Sequence, residues 1–229
     1  MTEHPYYTVE YELRLEDGRV ISYALEIDSQ TIISKLHPME APPEWTRLET
    51  GQCNPCEATG AEYCPIALRL VEPMERFRGL VSHTRCNTIV RTPERSYMKE
   101  GDVQDALRSL FGLIMATSGC PQMRPFKHMG RYHLPFSTLE ETISRITSTY
   151  LMREMLRNPN AKQLDFDLKE LESLYDTMGA LNSNIITRLR KVAEKDGALN
   201  AMVIFSTLSS LIPITFREEL QKLKALLDA

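Results

Sequence analysis

The chain has 229 residues, with 27 Lys plus Arg against 31 Asp plus Glu and a formal net charge of -4. Its 42% hydrophobic and 25% charged residues are ordinary globular proportions, which exclude disorder, collagen-like repeats and low-complexity scaffolds. An acidic balance also argues against a general nucleic-acid coating role, which rewards the opposite sign.

The first residues, MTEHPYYTVEYEL, carry no basic segment followed by an apolar one, so no signal peptide is expected. The longest apolar stretches, residues 110–116 and 201–211, read as too short or too interrupted by Ser, Thr and Asn to span a bilayer. The expectation is a soluble, cytoplasmic protein with no membrane partner.

Tyr7, Val9, Tyr11, Leu13 and Leu15 alternate with polar residues, and Ile21, Tyr23, Leu25 and Ile27 resume the alternation after Asp17-Gly18. Period two on both sides of an Asp-Gly pair predicts a β-hairpin with one buried face. Residues 37–61, rich in Pro, Gly, Glu and Thr, predict irregular structure. Cys64-Pro65 opens a helix whose face is Ile66, Leu70, Met74 and Phe77, with Pro65 at its first position and a kink at Pro73. Two short strands, roughly 83–92 and 95–99, flank the turn at Thr92-Pro93-Glu94. The first half is therefore ββαββ.

From Asp102 the pattern is helical. Residues 110–116 are apolar nearly all round, which predicts a buried central helix that Gly119 ends. Ser137 with Glu140 is a capping-box signature before a helix running to about Arg157. A helix from Leu168 to about Glu194 follows, then Ala198 to Ile212. Thr215 with Glu218 repeats the capping signature before a last helix, Phe216 to Leu227. The expected organisation is α+β: residues 1–101 as a ββαββ antiparallel sheet unit, residues 102–229 as a helical C-terminal half packed on it. Asn158 to Asp167 is the linker candidate.

Three cysteines cluster as Cys53-x2-Cys56 and Cys64, and Cys120 follows in Gly119-Cys120-Pro121. A tight turn at Asn54-Pro55 points two sulfurs inward, and Cys64 stands at a helix entrance that favours thiolate. Five clustered cysteines fit reduced thiols or metal ligands better than a disulfide framework. Cys53, Cys56, Cys64 and Cys120 therefore read as a four-thiolate structural zinc site, with His83 or His133 as nitrogen alternatives. An iron–sulfur cluster is the alternative cofactor, and a Cys53–Cys56 redox pair the metal-free one. Cys86, mid-strand, reads as core.

From Ala106 to Leu139 there is no Asp or Glu, and RPFKHMGRYH crowds Arg124, Lys127, His128, Arg131 and His133 together. Pro125 and Gly130 can bend this stretch so that its cations meet a small anionic ligand. A solvated connector paired with glutamates is the plainer reading. In the long helix, Leu171, Tyr175, Met178, Asn182, Ile185 and Leu189 recur by three and four residues, a seam that suits an intrachain bundle or a homodimer through residues 168–194.

The runs PPEWTRLETGQC, TPERSYMK, LFGLIMATSGCP and RYHLPFSTLEETI resemble an uncharacterised bacterial family of unknown function, over most of the chain. The resemblance implies a bacterial cytoplasmic setting and carries no activity. The leading functional expectation is a non-enzymatic module with a structural thiolate metal site, acting through a protein partner or a small anionic ligand. The rivals are an enzyme with its site at Cys120 to His133, acting on a phosphorylated or nucleotide substrate, and a thiol-based redox sensor.

Overall fold

The structure, a computed structural model, describes residues 5–157, 165 and 167–228. Strands β1 (Tyr6–Leu15) and β2 (Val20–Asp28) form the expected hairpin, in register from Tyr6 opposite Asp28 to Arg14 opposite Val20. Gly18 supplies the left-handed backbone that the turn requires, with φ of 85°. Helix α1 (Pro65–Arg76) starts with Pro65 at its first position and keeps Pro73 inside. Strands β3 (Arg85–Arg91) and β4 (Ser96–Asp102) complete an antiparallel sheet in the order β2-β1-β3-β4. Val9, Tyr11, Leu13, Tyr23, Leu25, Ile27, Cys86 and Val90 form its buried face. The ββαββ front and helical back make an α+β fold.

Helix α2 (Val103–Ala116) buries both its sheet side and its helical side, as an almost continuously apolar segment must. A 3₁₀ turn (Pro121–Phe126) and the short α3 (Lys127–Arg131) follow. Helices α4 (Leu139–Arg157), α5 (Lys169–Arg190) and α6 (Asp196–Leu227) wrap the far side of α2. One hydrophobic core runs without interruption from Val9 on β1 to Phe216 on α6. The linker candidate, residues 158–167, lies almost wholly outside the described residues.

Three expectations need correction. The capping box before α4 is one residue later than Ser137 and Glu140: the Thr138 N–H donates to Glu141 Oε2 at 2.8 Å, and the Glu141 N–H to Thr138 Oγ1 at 3.1 Å. Both pairs have the right spacing; the helix phase that buries Ile143, Ile146 and Tyr150 selects the second.

The second correction concerns the last two helices, which are one. α6 passes through Pro213, and Thr215 does not cap: its hydroxyl donates back to the Leu211 carbonyl at 2.9 Å. Burial of Ile212 and Phe216 on either side of Pro213 holds the helix together across the lost N–H. Joined in this way, Asp196–Lys222 is long and apolar enough to cross a membrane by length and composition, although here it packs on α2, α4 and α5.

Gly130 is the third. Its role is close approach rather than a bend, since a Cβ there would lie 2.6 Å from Thr117 Cγ2, while residues 127–131 are helical.

The α5 seam is buried inside the chain: Leu171, Tyr175, Met178, Asn182, Ile185 and Leu189 are all enclosed. Their neighbours are α6, α1 and the two 3₁₀ turns at Leu48–Gly51 and Pro121–Phe126.

Candidate functional site: a cysteine cavity and a helical cavity

Residues 37–63 contain little regular structure, only 3₁₀ turns at Glu44–Thr46 and Leu48–Gly51. The backbone of this segment therefore needs partners elsewhere. The Cys64 N–H donates to the Thr46 carbonyl at 2.8 Å, and the Leu48 N–H to Glu62 at 2.9 Å. The partner that gathers four of its carbonyls from a distance is Arg188 of α5. Its Nη1 donates to the carbonyls of Trp45 and Arg47, both at 2.6 Å, and its Nη2 to those of Leu48 and Gly51, both at 2.9 Å. Gly51 lets the guanidinium come close, because a Cβ there would stand 3.3 Å from Arg188 Nε. At 1% exposure, this is a buried cation held by carbonyl dipoles alone.

Cys53, Cys56, Cys64 and Cys120 all line one small cavity together with Arg188, Leu181 and Ile185, and no Asp or Glu among the described residues faces it. Its volume, about 10 Å³, is room for roughly one water-sized occupant. Four chain segments meet there: the irregular loop, the entrance of α1, the 3₁₀ turn after α2, and α5. The Gln122 side chain ties the 3₁₀ turn to the loop by donating to the Pro55 carbonyl.

Burial pushes the Cys53 thiol up to about 11, with the Cys64 and Cys56 sulfurs adding to the rise. Arg188 and the Asn184 side chain pull the other way. Cys120 is likewise raised to about 11 by burial, against the backbone N–H groups of Gln122 and Met123 that face its sulfur. Every cysteine is a free thiol. Among the described residues no three His, Cys, Asp or Glu side chains stand in metal-holding geometry as placed. The four thiols share a wall rather than a closed coordination shell. Cys86 is remote from them on β3, in contact with the Thr88 hydroxyl. Neither His83 nor His133 lines this cavity.

The basic stretch disperses. Lys127 Nζ donates to the Thr31 carbonyl at 2.9 Å, and Arg131 stacks over the Tyr7 ring at 5.2 Å from its centroid. Arg124 is exposed on the 3₁₀ turn. His128 shares a hydrogen bond between Nδ1 and the Pro125 carbonyl, and burial lowers its pKa to about 4. His133 turns inward, where its Nε2 and the Tyr11 hydroxyl lie 2.6 Å apart; that hydroxyl also meets Ser109 Oγ at 2.9 Å. Burial, with a smaller contribution from Arg145, lowers His133 to about 3, so its imidazole is neutral at physiological pH.

His133 and Ser109 belong to a second, larger cavity, of about 140 Å³, open on one side and lined by α2, α4, α5, α6 and the segments between α2 and α4. Its walls are mainly apolar, with Phe126, Met178, Phe205 and Leu208 among them, and two cations, Arg108 and Arg145, reach it. Sequence reading missed Arg188, Arg108 and Arg145. Arg188 did leave a signal: it stands at i+7 from Leu181 and i+3 from Ile185, a charge inside an apolar stripe. Arg108 and Arg145 left none, since each reads as the polar side of an amphipathic helix.

The structure is a helical bundle backed by a four-stranded antiparallel sheet, with a thiol-lined cavity. The chain belongs to the family described as Domain of unknown function (DUF6901), which it matches over residues 9–228. Comparison with curated proteins and comparison with solved structures each gave no match.

Proposed function

We propose that this chain is a non-enzymatic binding module of the bacterial cytoplasm, whose cysteine cavity holds one structural zinc ion and whose helical half receives a small anionic ligand. The observation that carries the metal half is the cavity's composition. Four thiols from three segments converge on a space for one occupant, beside a buried guanidinium that has no carboxylate. A four-thiolate zinc centre carries net negative charge, and Arg188 supplies the compensating charge at the place where it is needed. Each sulfur sits on one rotatable bond with staggered alternatives, so side-chain rotation can bring the thiols onto an ion. Four thiolates leave no open coordination position, which is why the metal's role is structural rather than catalytic.

Zinc would also explain how an irregular loop of this length keeps one conformation, since structural zinc contributes ~10 kcal/mol of folding free energy in small domains. The test is elemental analysis with an absorption spectrum, on protein purified without chelator. One zinc per chain and no visible colour support the reading. Absorption near 400 nm replaces zinc with an iron–sulfur cluster. No metal, together with ready oxidation of Cys53 and Cys56 to a disulfide, rejects the metal site in favour of thiol redox sensing.

A further inference from the structure

The larger cavity lies between helices, and its lining divides by chemistry. Phe126, Met178, Phe205 and Leu208 give it an apolar body. Arg108 from α2 and Arg145 from α4 bring positive charge to it, and no Asp or Glu among the described residues lines it. Arg108 Nε is buried without a hydrogen-bond partner, while Arg145 spends one Nη2 bond on the Tyr132 carbonyl, at 2.6 Å. Arg145 also borders a neighbouring groove with Glu140, Glu141 and Glu219; Glu141 is engaged in the N-cap of α4, and neither Glu140 nor Glu141 forms an ion pair with Arg145 among the described residues. A buried guanidinium nitrogen without a partner, as at Arg108, is costly beside apolar walls, and an anion entering with an apolar body removes that cost.

We infer that this cavity is a binding site for an apolar-bodied monocarboxylate, its carboxylate held by Arg108 and Arg145 and its hydrocarbon enclosed by α2, α5 and α6. The volume, about 140 Å³, and the mainly apolar walls suit a compact hydrocarbon body with a few polar groups to orient it. The guanidinium fork suits a carboxylate, to which it can give two parallel hydrogen bonds. The mainly apolar walls disfavour a sugar phosphate, whose many hydroxyls would lose water there without partners. This inference rests on the anion-binding half of the proposed function and is independent of the zinc.

The experiment uses the intact chain with sodium octanoate, 1-octanol, octyltrimethylammonium and inorganic pyrophosphate as probes, read by calorimetric titration and thermal shift. Octanoate should bind at least tenfold more tightly than octanol, and octyltrimethylammonium should not bind. Arg108→Gln and Arg145→Gln should each weaken octanoate tenfold or more while leaving octanol within twofold. Should R145Q fail to fold, Arg145→Lys keeps the charge, and its octanoate affinity should fall less than that of R108Q. Leu208→Trp should fill the cavity and abolish both octanoate and octanol binding. Octanoate binding no tighter than octanol, or unchanged in R108Q, overturns the inference. Stabilisation by pyrophosphate alone overturns it too but leaves the anion-binding reading standing; no response to any anion removes both.

Discussion

Arg188 and Cys53 meet at the wall of one cavity, where burial raises the Cys53 thiol pKa and the guanidinium that holds the loop backbone opposes part of that rise. One side chain of α5 thus performs two tasks. It satisfies four loop carbonyls, and it places positive charge beside sulfur.

Replacing Arg188 by Met keeps the length and removes the donors. Four partly buried carbonyls then lose their partners, and stability should fall by ~3 kcal/mol or more in chemical denaturation. Arg188→Lys should recover only part of the loss, because an ammonium cannot address two pairs of carbonyls as a planar fork does. Equal stability of the Lys variant and the parent protein would show that charge, not geometry, is what the loop requires.

The cysteines should separate into two classes. On the proposed zinc reading, Cys64→Ser or Cys120→Ser should lower the metal content and expose residues 44–63 to limited proteolysis. Cys86→Ser, remote on β3, should leave the metal content intact and cost only a modest amount of core stability. Identical metal content in C64S and the parent protein argues directly against the four-thiolate site.

Stability should decline on mild acidification. His128 and His133 titrate in the folded state at about 4 and about 3, below the ordinary value of 6.5, because burial disfavours their cations. The unfolded chain therefore binds more protons below pH 6.5, and stability present above that pH is lost as pH falls toward 4 and then 3. Each unit of depression corresponds to about 1.4 kcal/mol, so the melting temperature should drop steeply through this window. His133→Gln, which cannot titrate, should flatten the profile; an unchanged slope would place the pH dependence elsewhere.

Asn182 is fully enclosed on α5, and both atoms of its amide lack partners among the described residues. A buried amide without hydrogen bonds costs ~1–3 kcal/mol. Asn182→Leu should therefore raise the denaturation midpoint, provided the larger side chain is accommodated. A loss of more than ~1 kcal/mol would mean that repacking outweighs the desolvation gained.

The sheet was legible because its signals are local. Asp17-Gly18 between two alternating runs, and Thr92-Pro93-Glu94 between two more, leave few other ways to bury Tyr11, Leu13 and Val90. α2 was legible because a segment apolar nearly all round has only the centre of a fold to occupy. The family, too, could be read from the runs at residues 42–53, 92–99, 110–121 and 131–143. The four cysteines could be grouped by chemistry, although their shared cavity exists only because the turn after α2 folds back beside the loop.

Tertiary packing decided the rest. Thr138 outcompeted Ser137 as the cap of α4 because the buried face of that helix fixed its phase, and Pro213 failed to end α6 because Ile212 and Phe216 are buried on both sides of it. The dispersal of Lys127 and Arg131, and the meeting of Arg108 with Arg145 across a cavity 37 residues apart in sequence, follow from how α2, α3 and α4 pack. Charge spacing along the chain carries no information about such a meeting. A helix surface assigns a charged side chain to its polar face, and only a neighbouring helix turns that face into the wall of a cavity.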